Sequence, residues 1–182
     1  MSLPQAPQAA KLVIGIFTGD QSLLPPVLGA LSESFGPIDL ISPWLPFDFT
    51  DYYAREMGRG LFRRMAAFVP LIDQGDLAAI KCRTNAIEQE FAKTGRRAVN
   101  IDPGYLLRER FVLATGKNFS HRIYIGRHIY ADLTLIFQKG EFQFLPWTYP
   151  DYQDPKLLAF LHQAREKYIL DITETLHPKT EA

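Results

Sequence analysis

Two stretches of the chain gather side chains able to meet a charged small molecule: Asn100 to Tyr105 (NIDPGY) and Ala114 to Tyr124 (ATGKNFSHRIY). Lys117 and Arg122 supply positive charge, Asn118 and Ser120 directional hydrogen bonds, Tyr105 a ring with a hydroxyl, and His121 a group that titrates near neutral pH. Asp102 has two readings. It can exchange a proton with a ligand, or it can brace a turn at Asp102-Pro103-Gly104, where proline fixes φ and glycine accepts a positive φ. Upstream, Lys81, Asn85 and Glu88 fall at spacings of four and three along one helix flank. They form a solvated edge or, where that flank borders a sheet end, supply an amide at Asn85 and a general-base or magnesium-binding carboxylate at Glu88. The expected site is thus catalytic at His121, Asp102 and Glu88 and ligand-binding at Lys117, Asn118, Ser120, Arg122, Tyr105 and Asn85. Its ligand is a small phosphorylated or carboxylated molecule.

Charge supports an anionic ligand locally and argues against a general nucleic-acid binder. Twenty Lys plus Arg cancel twenty Asp plus Glu over the chain, yet residues 93–128 hold eight cations and two anions, an excess of six. An electrostatic nucleic-acid footprint requires an overall basic balance. Two other functions stay open. A single-stranded RNA platform is carried by Arg122, Tyr124 and Tyr130 on one sheet face. A homo-oligomeric interaction module is carried by the ring-rich segments PFDFTDYY (46–53) and LPWTYPDY (145–152), which equally suit a rigid, ring-lined pocket wall or plain cover over the core. Walker, dinucleotide-binding, zincin, nucleophile-elbow and EF-hand motifs are all lacking, so those chemistries have no support. One cysteine, Cys82, allows no internal disulfide and no zinc spacing; the sequence identifies no cofactor, and Glu88 is its one candidate magnesium-binding carboxylate.

The elements that must position these residues follow from periodicity. Residues 12–17 are an apolar run closed by Gly19 and Asp20, a buried strand. Leu23 to Phe35 recur at three and four, a helix whose Pro25 and Pro26 are tolerated in the first turn. Residues 39–45 read as a strand and 61–72 as a further apolar stretch. A second helix, capped by Asp76, carries the stripe Leu77, Ile80, Thr84, Ile87 and Phe91. Strands are expected at 98–101, 111–115, 122–125, 129–137 and 141–145, with turns at Gly126-Arg127 and Lys139-Gly140. Alternation puts Ile123, Ile125, Ile129, Ala131, Leu133, Leu135 and Phe137 in the core and Arg122, Tyr124, Tyr130, Asp132 and Thr134 on the opposite, open face. A last helix begins at Asp154-Pro155. The order βαββαβ predicts an α+β fold: a ferredoxin-like antiparallel sheet with helices on one face, extended by C-terminal hairpins and a final helix. One domain is expected at 11–172, with flexible tails at 1–10 and 173–182. The start lacks signal-peptide regions, and no apolar run reaches the roughly 18 residues that span a bilayer, which makes a cytoplasmic protein the expectation.

FGPIDLIS (35–42), PFDFTDYY (46–53), TNAIE (84–88), NIDPGYL (100–106), KNFSHRIY (117–124) and WTYPDY (147–152) together resemble the bacterial domain-of-unknown-function family 4416. The likeness runs in order over residues 11–168. It implies a single-domain bacterial protein and brings no activity, ligand or catalytic residue to carry over.

Overall fold

The computed structural model describes residues 2–47, 57, 60–92 and 95–176. Its elements are β1 (Ala10–Thr18), α1 (Leu24–Phe35), β2 (Ile38–Ile41), β3 (Leu45–Phe47), β4 (Leu61–Ile72), α2 (Leu77–Glu90), β5 (Val99–Leu106), β6 (Arg110–Thr115), β7 (Arg122–Tyr124), β8 (Tyr130–Gln138), β9 (Glu141–Phe144) and α3 (Pro155–Leu176). The fold is mixed α+β: three helices and one curled antiparallel sheet among the described residues. The strands run β2-β4-β1-β5-β6-β8-β7, with β3 on β4 and β9 on β8.

Strand β1 is buried at all nine positions, so both faces of the sheet need cover. Leu12, Ile14 and Ile16 pack with Val27 and Leu31 of α1 and with Ile80 and Ile87 of α2. Val13 on the opposite face shares a core with Leu157, Phe160, Leu161 and Ala164 of α3. Helices therefore lie on both faces, which corrects the expectation of one. Asp154 Oδ1 accepts from the amides of Lys156 and Leu157, the cap expected there. The cap before α2 differs: Asp73 Oδ1 takes the Gly75 amide, and Asp76 makes no side-chain cap bond.

The expected strand at 39–45 is two short strands, both paired to β4. Ser42-Pro43 separates them, because Pro43 has no N–H to donate and the Ser42 hydroxyl accepts the Met65 amide instead. Asp102-Pro103-Gly104, expected as a turn, lies inside β5 opposite Gly15, Ile14 and Val13 of β1. Lys139 and Gly140 both take positive φ, as a two-residue hairpin turn requires. The acidic aromatic stretch 48–53, Lys93 and residues 177–182 lie outside the described residues, and α3 continues to Leu176. No helix among the described residues is long and apolar enough to cross a membrane.

Candidate functional site

The site begins where two strands part. β5 pairs with β6 only at Gly104, Tyr105 and Leu106. A Cβ on Gly104 would stand 2.5 Å from the Val112 carbonyl oxygen, so glycine is what lets β6 close here. Backbone groups of alternate residues point to the same side of a strand, so Pro103, which has no N–H, sits on the side where pairing stops. Beyond it the edge of β5 is capped by α2. Glu88 Oε1 accepts the Ile101 amide at 2.7 Å, and Lys81 Nζ donates to the Ile101 carbonyl at 2.7 Å. Two helix side chains thus take the places a neighbouring strand would fill. Lys81 Nζ also meets Asp102 Oδ1 at 3.1 Å, Asn100 Nδ2 donates to Asp102 Oδ2 at 2.8 Å, and Arg97 reaches the Asn100 side-chain oxygen at 3.0 Å and Glu88 at 3.7 Å. Lys81 and Glu88 are buried, which overturns the solvated-edge reading for those two, while Asn85 on the same flank is exposed.

A β-bulge builds the opposite wall. The register between β6 and β8 shifts between Phe111 and Val112, whose partners are Leu135 and Leu133, so Thr134 is the extra residue. Trp147 Nε1 donates to the Leu133 carbonyl at 2.8 Å and Thr148 Oγ1 to the Thr134 carbonyl at 2.6 Å. Those bonds anchor the segment that carries Tyr149, Asp151 and Tyr152 over the sheet. The bulge also turns Leu135 to the same face as Asp132, against simple alternation. Arg122 and Asp132 pair across β7 and β8, and Nε of Arg122 meets Asp132 Oδ2 at 2.8 Å. Arg122 further donates to the Lys117 carbonyl at 3.0 Å and to the Tyr149 hydroxyl at 2.5 Å. Arg122, Asp132 and Thr134 are thus covered on the face expected to be open, while Tyr124 there is 57% exposed and Ile123, expected in the core, is 71% exposed.

Between these walls lies a cavity of about 560 Å³, the size of a small-molecule site. Arg63 of β4 stands at one end, 2% exposed, its Nη1 2.8 Å from Asp151 Oδ2. The guanidinium lies over the rings of Phe17 (4.6 Å) and Tyr152 (4.3 Å). Neither Nε of Arg63 nor the Tyr152 hydroxyl has a hydrogen-bond partner among the described residues. A Cβ on Gly15 of β1 would come within 3.3 Å of Met65 Sδ but only into ordinary contact, 3.6 Å, with that Nε. Burial raises the pKa of Glu88 despite Lys81, and of Asp151 despite Arg63. Burial likewise pushes the Tyr152 phenol up, so its proton stays on. The lining holds Arg63, Lys81, Arg97, Lys117 and Arg122 against Glu88, Asp102, Asp132 and Asp151. No cluster of three His, Cys, Asp or Glu side chains among the described residues is arranged to hold a metal ion.

Of the expected site residues, Asp102, Glu88, Lys117, Arg122 and Asn85 line this cavity. His121 stands beside it, stacked 4.8 Å from the Trp147 ring with Nε2 3.3 Å from Asp132 Oδ2. It shares that carboxylate with its neighbour Arg122 because it sits in the turn before β7. Asn118 and Ser120 are exposed in the preceding loop, and Tyr105 packs with Leu77, Val112 and Ile129, so these three do not join the lining. Of the basic segment, only Arg97, Lys117 and Arg122 appear there; Arg96, Arg108 and Arg127 are exposed. Arg63, Asp132 and Asp151 were not anticipated. The signal for Arg63 was available, as a cation inside the apolar run 61–72, and Asp151 lies in the ring-rich segment 145–152 that reads as a pocket wall; nothing local marked Asp132.

Residues 8–168 match the model of a family described as Domain of unknown function (DUF4416). No curated protein and no solved structure matches the chain.

Proposed function

Because the chain belongs to the DUF4416 family, a family described without an activity, we propose from the cavity itself that the protein binds a small phosphorylated or carboxylated ligand. The observation that carries this is the five-to-four excess of cations over carboxylates around a cavity of about 560 Å³. Lys117 lies at the exposed rim, beside Gly116, where an entering anion meets it before the buried pairs. Lys117 is the solvent-exposed cation of the lining, so an anion reaches its charge at the least desolvation cost.

Ligand-induced thermal shifts across phosphate esters, nucleotides and carboxylates test this reading. At least one class should raise the melting temperature of the wild type. Lys117→Ala should bind that class about tenfold or more weakly, the effect of losing one charged hydrogen bond of about 1.5–3 kcal/mol. A panel with no shift would remove the proposal. The half of the chain running β1-α1-β2-β4-α2-β5 is read as a ferredoxin-like unit. Supporting that reading, β4 and β1 lie between β2 and β5, and α1 and α2 share one face.

A second reading, self-association, is favoured by a specific patch. Phe119, Ile123 and Tyr124 are 63%, 71% and 57% exposed at β7, the last strand of the sheet path. Light scattering should then give a dimer mass that Ile123→Lys reduces to a monomer. A monomer at high concentration in the unchanged protein would end this reading. Trp147 is no part of it, being bonded to Leu133.

A further inference from the structure

Resting on the reading of the cavity as an anionic-ligand site, we propose that its inner end binds an uncharged, oxygen-bearing part of the ligand. The group is a hydroxyl of a sugar or polyol phosphate, held by the Nε–H of Arg63 and the hydroxyl proton of Tyr152.

Arg63 and Tyr152 are each 2% exposed and line the cavity, and their donor atoms, Nε and the hydroxyl, are shut off from solvent and lack a hydrogen-bond partner among the described residues. Buried polar atoms in folded proteins are nearly always satisfied, so two such orphans in one lining mark a place where an acceptor belongs. The acceptor is not a second carboxylate or phosphate. Asp151 already neutralises Arg63 at 2.8 Å, and another full charge beside that pair, away from water, would be poorly compensated. Lys81 and Arg97 are matched in the same way by Asp102 and Glu88. A neutral oxygen satisfies both donors without disturbing that balance. Phe17, Phe47 and Tyr152 line the cavity around the Arg63 guanidinium and make this end apolar. Such a lining suits the C–H faces of a hydroxylated carbon frame. The ligand thus enters hydroxyls first, leaving its phosphate at the rim with Lys117.

Calorimetric titration of the full chain with inorganic phosphate, glycerol 3-phosphate, ribose 5-phosphate and glucose 6-phosphate tests this orientation. At least one of the three esters should bind tenfold or more tightly than inorganic phosphate. Tyr152→Phe, which keeps the ring and removes only the hydroxyl, should weaken that ester about five- to tenfold and leave inorganic phosphate unchanged. The same variant should melt no lower than wild type, since it deletes a polar atom that the fold leaves unsatisfied. Unchanged ester affinity in Tyr152→Phe, or a lower melting temperature with ester affinity intact, would overturn the inference and assign the hydroxyl to the fold. Binding of inorganic phosphate with no gain for any ester would overturn it while sparing the anion site. Absence of binding by all four probes, with no shift from any carboxylate or nucleotide, would remove both.

Discussion

Replacing Arg63 with methionine is expected to cost about 3–5 kcal/mol at neutral pH, the usual effect of stranding one member of a buried ion pair. Methionine refills much of the space between the Phe17 and Tyr152 rings, so the loss comes chiefly from Asp151, left without its guanidinium. Urea denaturation should show a lower midpoint at an unchanged slope. The pH dependence has a definite sign. Burial already raises the Asp151 pKa in the wild type, and removing Arg63 raises it further. A carboxyl with a raised folded pKa binds its proton more tightly folded than unfolded, so stability is gained as pH falls. The deficit of Arg63→Met should therefore shrink in mild acid. The double variant Arg63→Met/Asp151→Leu should recover most of the loss, because removing both charges leaves nothing uncompensated. A single-variant loss below about 1 kcal/mol, typical of a solvated pair, would contradict the burial of this pair.

Lys11→Met is expected to cost about 3 kcal/mol at neutral pH, with the opposite relation between wild type and acid. Lys11 is fully buried and reaches Asp39 at 2.5 Å and Asp171 at 2.7 Å, joining β1, the loop edge at β2 and the far half of α3. Lys167 stays as a second partner to both carboxylates, which keeps the loss at the lower end for a buried pair. Burial alone would raise Asp171, yet hydrogen bonds from Lys11 and Lys167 outweigh it and hold the carboxyl below its ordinary range. Such a group contributes stability above its unfolded pKa of about 3.9 and loses it as pH falls through the lower folded value. Wild-type stability should drop below about pH 4 for this reason. The variant has already forfeited much of that contribution, so the gap between the two proteins should narrow there. Equal gaps at neutral and acid pH would show that Lys11 acts through packing alone.

Much of the architecture was legible because its signals are local. The alternation and turn residues of the C-terminal half mark β6 to β9 within a residue or two, and Asp154-Pro155 marks the start of α3. Asp102-Pro103-Gly104 misled because the same chemistry serves two ends: a proline without N–H and a glycine without Cβ suit a turn and equally suit a strand whose partner departs. The facing of β8 failed at Leu135, since a bulge adds one residue that no periodicity announces. Five residues of the candidate lining, Asn85, Glu88, Asp102, Lys117 and Arg122, were visible as polar or charged groups on one helix flank and in two segments near strand ends. The remainder was hidden by distance in sequence, because Asp132 and Asp151 gain meaning only from Arg122 and Arg63 across the sheet. Lys11 and Arg63 carried a readable hint, Lys11 as a lone cation at the head of an apolar run and Arg63 as half of an Arg63-Arg64 pair inside one.

The substitution of α2 side chains for a missing strand has a consequence for how this protein can diverge. Glu88 and Lys81 cannot be traded without unzipping the β5 margin, so they are fixed by architecture whatever the chain recognises. Asn85 and Lys117 are exposed and Tyr149 is 47% exposed, so each can vary at small structural cost. New preferences among relatives should be written in that small alphabet, over a frame that stays constant.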